Sequence, residues 1–306
     1  MGKILILTDG KAGHENQSKA FARALGCEFE LVEVHFKSKL AKALSYLLDR
    51  VGVRSLRLLS TAVDCNRLQS KPIAVIGTGS GTFYAAKAMA KKLGIRCGVV
   101  LYPRGYALAS FDCILAPVFD RPAPAPNVIE IPANLVATDA AFYAKGVADY
   151  RARTEVTPEV AVIVGGPNKC STMSVEWMKA QLDLIFAQPG AKAVTTSRRT
   201  PPAVEALVDS YPWDYKLIYS RDHFNPIPAF VTLAKRLYVT AESTGMLSEA
   251  CTFGSAEVVP LDNLKPGPHK FRRFMEGLLA AGCSQGVKLD LAPLFARAQS
   301  LLALEI

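Results

Sequence analysis

Several short segments of this 306-residue chain gather residue types that act on hydroxyls, phosphates and sugars. Asp9-Gly10-Lys11-Ala12-Gly13-His14 follows the apolar run Lys3–Thr8. A histidine where a strand gives way to a helix can take a proton from a hydroxyl, and the glycines let a ligand approach the backbone. A tight turn carrying a surface histidine fits the same spacing equally well. Gly77-Thr78-Gly79-Ser80-Gly81-Thr82 follows the apolar run Pro72–Ile76. Its glycines are not spaced as Gly-x-Gly-x-x-Gly, and the next strand, Cys97–Leu101, ends without an acid for a ribose, which argues against a nicotinamide cofactor. This loop reads either as a cradle for an anion or acceptor, through Thr78 and Ser80, or simply as a turn.

The second half carries three comparable loops. Gly165-Gly166-Pro167-Asn168-Lys169 closes an apolar run at Val164. Thr196-Ser197-Arg198-Arg199-Thr200-Pro201 offers two guanidinium groups, which suit a diphosphate, although a solvated basic turn is the commoner fate of such a pair. Thr240-Ala241-Glu242-Ser243-Thr244-Gly245 leads into a helical pattern. Ser243, Thr244 and Gly245 there would present backbone N–H groups at a helix start, a phosphate-binding arrangement. Glu249, one turn further on, would reach the hydroxyls of a ribose. The plainer alternative is a capped helix with a solvated glutamate.

What is missing narrows the chemistry. No two aspartates stand two apart, no Gly-x4-Gly-Lys-Ser/Thr occurs, and four histidines and seven cysteines lack zinc-like spacing. A departing diphosphate would therefore be met by helix ends, arginine and lysine, with no metal and no cofactor expected.

The elements that must position these loops alternate. Short apolar strands ending at residues 8, 34, 76, 101, 116 and 131 are separated by helical patterns. After a polar stretch at Ala141–Glu155 the alternation restarts, with strands ending at 164, 196, 219, 240 and 261. This predicts an α/β protein of two doubly wound, Rossmann-like domains with parallel sheets. The expected division is 1–154 and 155–306, with the final helix packing back on the first domain. The default ligand site is a cleft between the two, at the carboxyl ends of the strands.

Half the residues are hydrophobic and 21% are charged, enough for two cores and wrong for a disordered or coiled-coil chain. An odd cysteine count and no secretory leader lead us to expect free thiols and a cytoplasmic setting. The net charge of +9 implies an anionic partner. Residues 36–59 hold six basic side chains against one acid. That segment reads either as a basic amphipathic helix resting on an anionic membrane surface or as an ordinary surface helix with its apolar stripe in the core. A second basic cluster comprises Lys265, His269, Lys270, Arg272 and Arg273. Nucleic acid is not expected, because the basic residues lack interleaved aromatics and any recognised module.

Taken together, Thr8–Gln17, Val164–Pro167, Thr196–Pro201, Asn225-Pro226, Val239–Ser243, Met246 and Ser248-Glu249-Ala250 resemble the mitochondrial fission ELM family. Its bacterial members are labelled glycosyltransferases or nucleoside-diphosphate-sugar epimerases. Cys170, Ser171 and Pro228 depart from its usual pattern. The family is similar to GT-B glycosyltransferases of the MurG type. By that resemblance His14 is the base, and Lys11, Gly13, Thr78 and Ser80 face the acceptor. Gly165 and Gly166 open the donor domain. Ser243, Thr244 and Gly245 hold the diphosphate with Arg198 or Lys169. Phe224 and Asn225 lie near the base of the nucleotide, and Glu249 binds its ribose. The implied reaction passes a sugar from a nucleoside-diphosphate sugar, of UDP type, to a hydroxyl acceptor, lipid-linked or part of a cell-envelope glycan. An epimerase on the same scaffold and a non-enzymatic membrane-surface adaptor are the alternatives.

Overall fold

A computed structural model describes residues 2–60 and 71–304. The chain divides into two compact units, Met1–Ala137 with Leu291–Ile306, and Thr138–Asp290.

The first unit is a six-stranded sheet, all parallel. Its strands are β1 (Lys3–Thr8), β2 (Glu28–Glu33), β3 (Ala74–Thr78), β4 (Arg96–Val100), β5 (Cys113–Pro117) and β6 (Val128–Ile131), in the order β2-β1-β3-β4-β5-β6. The order reverses at β1, so the crevice between β1 and β3 is the topological switch point, where open α/β sheets take their ligands. Strands β3 and β5 are buried along their whole length, as expected of a sheet covered on both faces. Helices α1 (Ala12–Ala24), α2 (Lys39–Arg50) and α3 (Phe83–Leu93) follow β1, β2 and β3. Helix α3 is buried on all sides from Phe83 to Ala90, its alanines allowing close approach, and stops at Gly94 in the left-handed region (φ 68°).

The second unit is a five-stranded parallel sheet. It comprises β7 (Val160–Ile163), β8 (Lys192–Thr195), β9 (Tyr215–Leu217), β10 (Arg236–Thr240) and β11 (Glu257–Leu261), in the order β11-β10-β7-β8-β9. Its switch point lies between β7 and β10. Its helices are α4 (Ala140–Arg151), α5 (Val175–Phe186), α6 (Pro202–Ser210), α7 (Ile227–Leu233), α8 (Thr244–Phe253) and α9 (Lys270–Ala280). The core gathers Val162, Val164, Met178, Leu182, Val194 and Val208.

The expected division at 154/155 is displaced. Helix α4 belongs to the second unit because Tyr150 is fully buried there, edge-on to Tyr215 and Phe230. Gly146 faces Pro228 of α7 so closely that a Cβ on it would stand 2.5 Å from the proline ring. Conversely, α10 (Ala292–Leu301) belongs to the first unit, where Leu291, Ala298 and Leu302 complete the core with Ile4, Ile6 and Leu115.

The reading of residues 36–59 as one helix is also corrected. The helix proper is Lys39–Arg50, capped by the Ser38 hydroxyl, which accepts from Ala41 N at 3.0 Å, and a short 3-10 turn follows at Leu56–Leu58. Nor does α2 turn its leucine stripe to the core. Its fully buried residues are Ser45 and Asp49. Asp49 takes two bonds from the buried Lys87 ammonium (2.7 and 2.8 Å), whose third proton goes to Ala107 O at 2.9 Å. Ser45 pairs with Tyr106. Only Tyr46 and Leu48 among the helix's large apolar side chains pack inward.

Candidate functional site

Both switch points carry the loops singled out above, and they differ in how their polar groups are used.

In the first unit, Gly10 (φ 77°) turns the chain after β1, and His14 stands third in α1. Its Nδ1 lies 3.0 and 3.1 Å from the two oxygens of Asp9. An ionised carboxylate only accepts, so Nδ1 carries a proton, and in the neutral ring it is Nε2 that holds the lone pair. Nε2 has no partner among the described residues. Lys11 Nζ donates to Asp9 Oδ2 at 2.9 Å. Burial works to raise the Asp9 carboxyl, but hydrogen bonds and charge from Lys11 and His14 outweigh it and hold the group below its ordinary value. Sequence reasoning missed Asp9 as a site residue; a carboxylate at a strand end five residues before a helix-start histidine is the signal.

The glycines of the second loop answer to this pair. A Cβ on Gly79 (φ 82°) would lie 2.4 Å from His14 Cε1, and one on Gly81 would lie 2.8 Å from Asp9 Cβ. The β3–α3 loop is therefore a close-fitting wall against the imidazole and its carboxylate. Gly13 has nothing within 4 Å of where a Cβ would stand. Ser80 is exposed at the loop's tip and accepts from Lys42 Nζ of α2 at 2.9 Å. Thr78, expected to face an acceptor, is 1% exposed, with its hydroxyl bonded to that of Ser18 at 2.6 Å, so burial keeps it from the surface of the loop.

In the second unit the Gly165-Gly166 loop is closed in on itself. Gly165 N donates to Thr240 Oγ1 (2.9 Å) and Gly166 N to Glu242 Oε1 (2.8 Å). Asn263 Nδ2 donates to Glu242 Oε2 (2.7 Å), and Thr240 Oγ1 to Oε1 (3.1 Å). A Cβ on Gly165 would fall 2.0 Å from Glu242 Oε1, and one on Gly166 would fall 2.0 Å from Arg199 O. These glycines exist to admit a buried carboxylate and a neighbouring backbone, and their N–H groups are not offered to a ligand. Glu242, which sequence reasoning passed over as part of a small polar turn, is the buried centre that ties β7, β10 and the chain after β11 together.

The rest of this edge is open. Helix α8 begins at Thr244 behind Ser243 with no side-chain cap, and Gly245 is exposed with nothing near its Cβ position. Arg198, Arg199 and Lys169 are all exposed, and Arg199 also donates to Gly166 O at 3.1 Å. Glu249, in the second turn of α8, accepts from Tyr143 at 3.0 Å through Oε1, and Oε2 has no partner among the described residues. Burial dominates its environment and raises its carboxyl above the ordinary value, against the lowering effect of that hydrogen bond. Tyr143 is stacked on Phe253 at 4.7 Å and reaches Thr138 at 2.9 Å, so it holds Glu249 from a fixed position. Phe224 lies under the Arg153 guanidinium at 4.2 Å, and Asn225 Oδ1 accepts from Ile227 N at the start of α7. Of the second basic cluster, Arg272 is paired with Asp262 and His269 caps α9. No group of three or more histidine, cysteine, aspartate or glutamate residues that could hold a metal ion occurs among the described residues.

Residues 12–294 match the model of the family described as mitochondrial fission ELM1. No curated protein sequence matches. Solved structures resemble the chain over nearly its whole length at low identity. S. aureus MnaA, solved with UDP, is 13% identical with a TM-score of 0.51, covering 100% of this chain and 98% of its own. UDP-GlcNAc 2-epimerase from Neisseria meningitidis, bound to UDP-GlcNAc, is 12% identical with a TM-score of 0.51 and 98% coverage of both chains. A UDP-glucosyltransferase from Polygonum tinctorium is 10% identical with a TM-score of 0.52, covering 98% and 89%. At such identities the likeness establishes the fold, which is GT-B.

Proposed function

The chain belongs to the mitochondrial fission ELM1 family, and we propose that it is a glycosyltransferase that passes a sugar from a nucleoside-diphosphate sugar to a hydroxyl acceptor. The observation that carries this reading is the Asp9–His14 pair at the first unit's switch point, with Nδ1 held and Nε2 left free. In the proposed reaction Nε2 takes the proton of the acceptor hydroxyl. The acceptor oxygen attacks the anomeric carbon, and the bond from that carbon to the diphosphate oxygen breaks. Asp9 fixes the tautomer and stabilises the imidazolium that forms.

The second unit takes the donor. The uncapped start of α8, at Ser243, Thr244 and Gly245, faces the diphosphate with N–H groups and the positive end of the helix dipole, and Arg198 and Lys169 add charge as it leaves. Glu249 Oε2 accepts from the ribose hydroxyls while Tyr143 holds Oε1. Phe224 and Asn225 lie toward the nucleotide base. MnaA was solved with UDP and the Neisseria meningitidis epimerase with UDP-GlcNAc, which supports UDP as the first nucleotide to test.

Calorimetry with UDP, GDP, CDP and dTDP tests the donor site. One nucleoside diphosphate should bind the intact protein and bind Glu249→Ala at least tenfold more weakly. Product analysis then follows with the matching sugar donor, with and without acceptor extracts. Transfer that needs an acceptor and is lost in His14→Ala supports the reading. A new sugar nucleotide formed from donor alone would make the protein an epimerase, and absence of nucleotide binding would overturn both.

A further inference from the structure

Helix α2 is built inside out. At about 100° per residue, Leu40, Ala43, Leu44, Leu47 and Val51 fall within one arc about 100° wide, and Ser45 and Asp49 fall on the opposite side. The core takes the polar side. The apolar arc is in solvent, with Leu40 82%, Leu44 42%, Leu47 58% and Val51 67% exposed, and Val53 continues it at 45%. The inward side is held by the Lys87–Asp49 and Ser45–Tyr106 bonds, so the helix needs none of its outer leucines to stay in place. A row of exposed leucines on a fixed helix is what a partner surface looks like.

The charges around the row say which partner. Lys39 and Arg50 fall next to it on the helix, and Lys37 and Arg57 in the flanking segments are also exposed. Within 36–59 the single acid, Asp49, is buried and spent on Lys87. Two copies meeting through this face would set like charges against each other, since an isologous contact opposes a patch to itself. An anionic lipid headgroup layer meets both requirements, with acyl chains for the leucines and phosphates for the cations. No helix among the described residues is long and apolar enough to cross a membrane, and α2, with 12 residues, is of a length to lie in the interface.

We infer that the outer face of α2, Leu40 to Val53 with its flanking cations, is a docking surface for an anionic lipid bilayer. Lys42, on the inward side of the same helix, reaches Ser80 in the loop that walls His14, so docking sets the acceptor side of the first unit one helix away from the membrane. It favours an acceptor hydroxyl carried by a membrane lipid. This last extension rests on the glycosyltransferase reading; the docking itself does not.

The test is sedimentation of the full chain with vesicles of phosphatidylcholine alone and with one third phosphatidylglycerol. The protein should pellet with the anionic vesicles, stay in solution with the neutral ones, and be released by high salt. The double substitution Leu44→Gln, Leu47→Gln and the triple substitution Lys39→Gln, Arg50→Gln, Arg57→Gln should each lower the bound fraction at least fivefold at unchanged melting temperature and unchanged nucleotide binding. Failure of the intact chain to bind anionic vesicles, or equal binding by the leucine variant, overturns the proposal. So does a dimer in sedimentation velocity that the leucine variant abolishes, which would assign the face to a second copy. Vesicle binding without transferase activity leaves the docking surface standing and removes only the lipid-acceptor extension.

Discussion

The two sheet edges carry glycine-rich loops that look alike on paper and serve opposite ends. At the first, Gly79 and Gly81 make room for the side chains of His14 and Asp9, and the imidazole keeps a nitrogen unclaimed. At the second, Gly165 and Gly166 make room for Glu242 and for Arg199's backbone, and the Glu242 carboxylate and the Thr240 hydroxyl are already bonded within the protein. A small residue at a strand end thus records only that something stands close by. Whether that something is a reacting group or a strut is decided by which of its atoms remain free.

The contrast can be broken in four ways, from the largest effect to the smallest. Replacing His14 with Ala should lower turnover about 10²-fold or more, the usual worth of a positioned base, with donor affinity nearly unchanged; comparable loss of both, seen in steady-state kinetics and calorimetry, would deny it that role. Glu242→Ala should act on the fold, since it strands the buried donors Gly166 N and Asn263 Nδ2. A loss of about 3 kcal/mol in denaturant unfolding is expected, and an unaltered midpoint would show the cluster to be dispensable. Gly79→Ala combines a backbone strained for any side chain with a methyl group driven into the His14 ring. About 1–2 kcal/mol of stability should be lost, together with most of the turnover, while nucleotide binding by the second unit is kept.

The smallest effect concerns Glu249. Its folded carboxyl is raised above the ordinary 4.5 by burial. Above that pH the unfolded chain gives up the proton first, so the folded state binds more protons and stability falls as pH rises through the folded value. Glu249→Gln should therefore raise the melting temperature at pH 7 by a few degrees, about 1 kcal/mol, and the gain should vanish near pH 4. A gain that is the same at both pH values would separate it from the carboxyl's ionisation.

Much of this was legible before any coordinates. The alternation of short apolar runs with helical patterns identified both sheets, because parallel strands buried on two faces read as unbroken hydrophobic stretches. The loops at both switch points were picked out for the same reason: small and polar residues interrupt that pattern. What stayed hidden depends on contacts distant in sequence. The stripe Leu40–Leu44–Leu47–Val51 reveals a two-sided helix but not which side faces inward. That was settled by a lysine 38 residues beyond Asp49. Helix α4 reads as either helix or linker in the sequence, because the partners of its Tyr150 lie far off at Tyr215 and Phe230. Arg198 and Arg199 are identical neighbours in sequence and both exposed, yet Arg199 is tied to Gly166 O.

The return of α10 to the first unit sets an order of events on the ribosome. Leu291, Ala298 and Leu302 share a core with Ile4, Ile6 and Leu115, yet they emerge only after all of Thr138–Asp290 has been made. The unit begun first is thus finished last. Until then its sheet lacks part of one face, and the intervening unit is free to fold alone during synthesis.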